Sequence, residues 1–167
     1  MPPVRFEYQW FPKGEVTSKG VLIKDNKTLR PLFTATLING ETRLPIEGLV
    51  DSGSDKTLSF AQFGSLMGID FYNEDFRKEM QTKTGMDFEQ EIFGLGKVPI
   101  PAFLTLMDIE ANGKRQTVRI FWIREVFDQD TDFALVLGQD SIFYMFDIHF
   151  SRRQLRFFVN DEKFEPK

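Results

Sequence analysis

Two Asn-Gly dipeptides do most to limit the folds open to this chain. Asn39-Gly40 lies between residues 32–38 and 42–50, and Asn112-Gly113 between residues 104–110 and 116–123. The flanking runs are rich in apolar and β-branched residues. Asn-Gly takes up the left-handed backbone of a tight two-residue turn at little cost, so both segments read as β-hairpins of the same kind. Residues 146–150 and 154–159 read as a third hairpin around Ser151-Arg152-Arg153. Phe133-Ala134-Leu135-Val136-Leu137 is wholly apolar and stops at Gly138, the pattern of a strand buried on both faces. Phenylalanine, at 19 residues, adds weight to pleated structure. The expectation is an all-β fold, a closed barrel with one or two short helices in a single domain. Ser59 would cap one helix, running to Leu66 and ended by Gly68. Residues 141–146 would form a helical turn, and residues 71–83 are charged and ambiguous. Residues 1–31 are expected to be an N-terminal β extension packed on the barrel, residues 32–160 the barrel itself, and residues 161–167 a loose charged tail. A hairpin, an apolar run ending in glycine and a short helix occur in that order twice, a weak sign of duplication.

The composition narrows the chemistry. A length of 167 residues suits one domain with a proper core. The net charge of −4 argues against a nucleic-acid partner, which needs basic surface. No apolar run approaches the roughly 18 residues of a membrane span, so no membrane partner is expected. The first residues, Met1-Pro2-Pro3-Val4-Arg5-Phe6, lack a secretory apolar core, and a cytoplasmic location is the expectation. With no cysteine, disulfides and thiolate chemistry are excluded. His149 is the sole histidine, which rules out a Cys/His dyad and a multi-imidazole zinc site. Its alternation with Ile148 makes it a solvent-facing strand residue. Carboxylate chemistry remains well supplied.

Leu49-Val50-Asp51-Ser52-Gly53-Ser54 stands out among the carboxylate segments. A short apolar strand would deliver one carboxylate to the floor of a cleft and then turn sharply. Taken alone, Asp-Ser-Gly is also an ordinary turn. One carboxylate is a poor catalyst. Two facing each other across a symmetry axis can share a proton and activate a water. The chain contains one such segment, so the chemistry would require a dimer.

Three segments together resemble the retropepsin-like aspartic proteases, in that family's order and at about its spacing. Val50-Asp51-Ser52-Gly53-Ser54 is similar to the catalytic loop, Phe93-Gly94-Leu95-Gly96 to the glycine-rich flap, and Val136-Leu137-Gly138-Gln139-Asp140 to the segment packed beside the catalytic loop. Leu137 through Phe143, with Phe146-Asp147-Ile148 and Leu155-Arg156-Phe157, is closest to bacterial members. The resemblance spans residues 32–159 and implies an aspartic endopeptidase acting as a C2 homodimer on an extended peptide or protein substrate, without cofactor or metal. Asp51 would be the proton-sharing acid. Ser52 would hold the two loops together across the axis, and Gly53 would let a backbone amide approach the acids. Phe93, Gly94, Leu95 and Gly96 would form the flap, the plainer alternative being an ordinary β-turn or bulge. Leu137 and Gly138 would pack beneath the loop. Ser54 and Asp55 would contact substrate, although Asp55 also suits a solvated turn. The chain departs from the family twice. Gln139 stands where an arginine would pair with Asp55, and Pro99 and Pro101 stiffen the arm after the flap. Asp140 and Asp147 read as surface or turn residues. Leu49, Leu95, Val98 and Leu137 are candidates to line apolar pockets. Two other readings stay open: a catalytically inactive peptide-binding or dimerisation module on the same fold, and an unrelated β-barrel that carries a small ligand.

Overall fold

The computed structural model describes residues 4–7, 9–12, 16–18, 21–23, 27–93, 98–126, 133–154 and 156–160. Five short strands come first: β1 (Val4–Glu7), β2 (Gln9–Pro12), β3 (Val16–Ser18), β4 (Val21–Ile23) and β5 (Lys27–Arg30). The body of the molecule follows with β6 (Leu32–Asn39), β7 (Thr42–Val50), β8 (Leu58–Phe60), α1 (Ala61–Leu66), α2 (Glu74–Thr84), β9 (Glu89–Ile92), β10 (Ile100–Ala111), β11 (Lys114–Ile123), β12 (Leu135–Leu137), α3 (Ile142–Met145), β13 (Asp147–Ser151) and β14 (Arg156–Asn160).

The main sheet runs β11-β8-β12-β7-β6-β10-β9, and β10 also pairs with β11. That extra pairing closes six strands into a barrel and leaves β9 outside the ring. Two of the joins are parallel: β12 against β7, with Leu137 opposite Val50, and β8 against β11, with Leu58 opposite Phe121. The expected closed, mostly β barrel with few short helices is what forms.

Both Asn-Gly hairpins are present, but their turns differ. In β10–β11, Ala111 pairs with Lys114, and Asn112 and Gly113 form the loop with φ of 47° and 76°. In β6–β7, Asn39 pairs with Thr42, so the loop is Gly40-Glu41 and only Gly40 has positive φ. Asn39 stays in the strand because its side-chain amide donates to the Met67 carbonyl at 3.0 Å. A tertiary hydrogen bond thus moves the turn by one residue.

The helices also depart from expectation. α1 begins at Ala61 after Phe60, without a side-chain cap. Ser59, expected to cap it, belongs to β8 and donates its hydroxyl to the Ala134 carbonyl at 2.8 Å. Gly68, with φ of 83°, follows the helix end as expected. The ambiguous charged segment contains α2. Asn73 caps its start by accepting from the Phe76 amide at 2.9 Å, Glu74 and Asp75 occupy its first turn, and Gly85 ends it in the left-handed conformation. The helical turn expected around residues 141–146 is α3.

The core lies inside the barrel and under the helices. Trp122, Phe103, Leu104, Ile109 and Ile120 are fully buried, and the Phe103 ring stacks on Phe71 and Phe88 at centroid distances of 5.0 and 5.3 Å. The buried indole of Trp122 is satisfied, its Nε1 donating to Thr105 Oγ1 at 2.8 Å. A second sheet, β1-β14-β13, includes the C-terminal hairpin. β1 joins it antiparallel, and the Phe6 ring lies between Phe33 (4.7 Å) and Phe157 (5.1 Å). His149, on β13, is exposed as expected. Residues 161–167, expected to be a loose tail, lie outside the described residues.

Candidate active site

β7 ends at Val50, and the chain turns at once. The Asp51 amide donates to the Leu137 carbonyl at 3.1 Å, so the end of β12 sets where Asp51 sits. Its carboxylate accepts from the Gly53 amide at 2.9 Å, and the Ser54 amide donates to the Asp51 carbonyl at 3.2 Å. A Cβ on Gly53 would stand 3.2 Å from the carboxylate oxygen, so a side chain there would crowd the acid. Asp51 is half-buried, and Ser52 and Gly53 are exposed.

The loop after β12 locks against the Asp51 loop. The Gln139 amide donates to the Ser54 carbonyl at 2.8 Å, and the Gln139 side-chain amide donates to the Ser52 carbonyl at 2.8 Å. Gly138 lies between them with no room for a side chain. A Cβ there would come within 2.2 Å of the Lys56 carbonyl oxygen and 2.7 Å of that of Ser54. Leu137 is fully buried in the core beside this contact. It does not line the cleft, so its candidacy as a pocket residue gives way to packing.

A buried polar cluster supports the same junction. Thr57 and Ser141 are fully buried and their hydroxyls touch. Thr57 Oγ1 donates to Asp140 at 2.6 Å, and the Ser141 hydroxyl reaches the Gly138 carbonyl at 3.3 Å. Asp140 is therefore a turn residue with a buried partner. Burial pushes its carboxyl above the usual value, and the Thr57 hydrogen bond opposes that rise. Asp147 is exposed at the start of β13.

Asp51 opens into a cleft of about 200 Å³. Gly53, Ser54, Asp55 and Lys56 line it on the Asp51 side. Leu49, Leu58, Ile123, Phe133 and Val136 form apolar walls, and Ile92, Phe93 and Ile100 come from the β9–β10 hairpin. Phe93 is well exposed at the lip. The other expected flap residues, Gly94, Leu95 and Gly96, lie outside the described residues. Val98 is exposed and is not among the cleft-lining residues. Ser54 lines the cleft, but its hydroxyl donates to the Lys56 carbonyl at 2.7 Å. Asp55 is exposed and lines both this cleft and an adjoining hollow with Ser52, Gln139, Asp140 and Tyr144. Among the described residues, no group of three or more histidine, aspartate or glutamate side chains could hold a metal ion.

Leu49, expected to line an apolar pocket, does line the cleft, but the other aliphatic cleft walls and the Thr57–Ser141 pair were not picked out from the sequence. Ile92, Ile100 and Ile123 sit at strand ends and read like core residues. Thr57 does carry a signal, as a hydroxyl between a polar loop and the apolar strand that follows.

No protein-family model matches the chain, and no curated protein matches it by sequence. Solved structures do. A retropepsin-like aspartic protease from Rickettsia conorii superposes with a TM-score of 0.50 at 10% identity, over 95% of this chain and 95% of that one. The EIAV protease, solved in complex with the inhibitor HBY-793, gives a TM-score of 0.42 at 17% identity, over 71% of this chain and 89% of that one. With the first of these similarities, the closed barrel and its loop junction define a retropepsin-like fold.

Proposed function

We propose that this chain is an aspartic endopeptidase that works as a homodimer. One observation carries the reading: a carboxylate held by a backbone amide stands in an otherwise largely apolar cleft that the facing ends of β9 and β10 also line. Asp140 does not line that cleft and is engaged by Thr57, and Asp55, which does line it, is exposed and opens equally on the adjoining hollow, so the reading takes Asp51 of another copy as the second acid. Two adjacent carboxylates cannot both ionise cheaply, and one keeps a proton. The ionised acid takes a proton from a water, whose oxygen attacks the scissile carbonyl carbon, while the protonated acid donates to the carbonyl oxygen. The tetrahedral intermediate then collapses, a proton passes to the amide nitrogen, and the C–N bond breaks. An extended substrate would pair with the cleft edges as an added strand.

Asp51→Asn tests the reading, because it keeps the Gly53 amide bond but leaves the dimer without a shared proton. Digestion of a peptide library over acidic to neutral pH should show cleavage by the wild-type protein and a loss of about a thousandfold or more in the variant. Equal rates would refute Asp51 as the catalytic acid, and no cleavage by either would refute proteolysis. Gln139 favours a second reading, a peptide-binding or dimerisation module without proteolysis. Its side chain closes onto Ser52, where the resemblance expects an arginine to pair with Asp55. Peptide binding without cleavage by the wild-type protein would establish that reading.

A further inference from the structure

We infer that Lys56 makes this cleft select peptides with a carboxylate side chain near the scissile bond. The inference rests on the peptide-cleft reading above and names what the cleft takes. Lys56 is the one cation among the described residues that line the cleft. Its backbone is fixed, since its carbonyl accepts from Ser54 Oγ and rests against Gly138. Its ammonium lies 5.5 Å from the centre of the Phe121 ring. Phe121 belongs to the apolar cluster that includes Leu58, Ile92 and Ile123, all three of which line the cleft.

Among the described residues, no carboxylate forms an ion pair with Lys56. Asp51 and Asp55 share the cleft with it but are not within ion-pair distance. An ammonium set over an aromatic face, in a mostly apolar groove, is screened less than one in bulk water. A substrate carboxylate reaching the Lys56 side of the cleft would meet that charge. One reaching Asp55 would be repelled, so selection applies at the Lys56 subsite and not along the whole peptide. In a two-fold dimer the shared cleft holds two copies of Lys56, which places an equivalent carboxylate-binding subsite on each side of the scissile bond.

The test uses the full chain and a set of peptides that differ at one residue, Glu against Gln, scanned along the sequence. A charge-assisted contact of this kind raises kcat/KM for the Glu peptide about tenfold over its Gln partner at one subsite. The Glu/Gln ratio should persist in Lys56→Arg, fall to about one in Lys56→Met and drop below one in Lys56→Glu. Because the ratio is taken within each variant, a change in overall rate does not affect it. It should also shrink in high salt, and as pH falls through the glutamate range. Equal ratios in the wild-type protein and Lys56→Met would overturn the inference while leaving proteolysis intact. If nothing is cleaved, fluorescence anisotropy of the same peptides decides. A Glu preference lost in Lys56→Met would uphold Lys56 while proteolysis falls, and no binding to either protein would overturn both.

Discussion

Gly138 is the tightest contact at the candidate site. Its alpha carbon faces the Lys56 and Ser54 carbonyl oxygens, and backbone cannot swing aside as a flexible side chain can. Gly138→Ala should cost about 3 kcal/mol, measured by chemical denaturation, and should disturb the Asp51 loop it abuts. Asp140, two residues on, responds to pH in the opposite sense to an ion-paired acid. Burial raises its folded value above the unfolded one, so ionisation costs the fold. That cost is absent well below the usual carboxylate range and complete once the pH passes the raised value. Asp140→Asn keeps an oxygen for Thr57 and has nothing to ionise. Its stability relative to wild type, followed by denaturation at a series of pH values, should therefore rise with pH across that window. The sequence singled out Asp51 because acid, hydroxyl and glycine follow one another along the chain. It did not mark Lys56 or Thr57, whose surroundings depend on Phe121, Asp140 and Ser141, all distant in sequence.

At the scale of elements, local signals decided what could be read. The hairpins were visible because a turn and its strands are contiguous. Even there, the Asn39–Met67 bond shifted one turn in a way no local pattern shows. α2 was missed because it buries little: Met80 is its buried residue, and the remaining surface is polar or half-covered. Its caps carried the signal instead, in Asn73, Glu74, Asp75 and Gly85. Asn73→Ala should lower stability by about 1 kcal/mol in thermal denaturation, since the Phe76 amide would lose its partner. Ser59 misled because a serine before an apolar run suits a cap as well as it suits a buried strand hydroxyl with a carbonyl partner.

For the whole molecule, barrel closure was expected, but the pairings that achieve it were not legible. The β7–β12 and β8–β11 joins are parallel and bring together residues far apart in the chain, with no turn to announce them. The assembly is where the proposed chemistry meets its strongest test. With one Asp51 per chain, activity per chain should fall on dilution as the dimer dissociates, in step with the sedimentation coefficient, while the far-ultraviolet circular dichroism per chain stays constant. Activity unchanged by dilution into a monomeric range would rule out a shared pair of acids.

β9 is the strand that the ring leaves outside, and among the described residues it forms the free margin of its sheet. An unpaired strand margin is a template for stray chains and a common start of fibrils. Here Glu89 and Glu91 alternate along it, both exposed, and Glu89 is bound to Arg77. Copies approaching edge to edge would bring like charges together. The strand beside the cleft can thus keep an open edge without seeding aggregation.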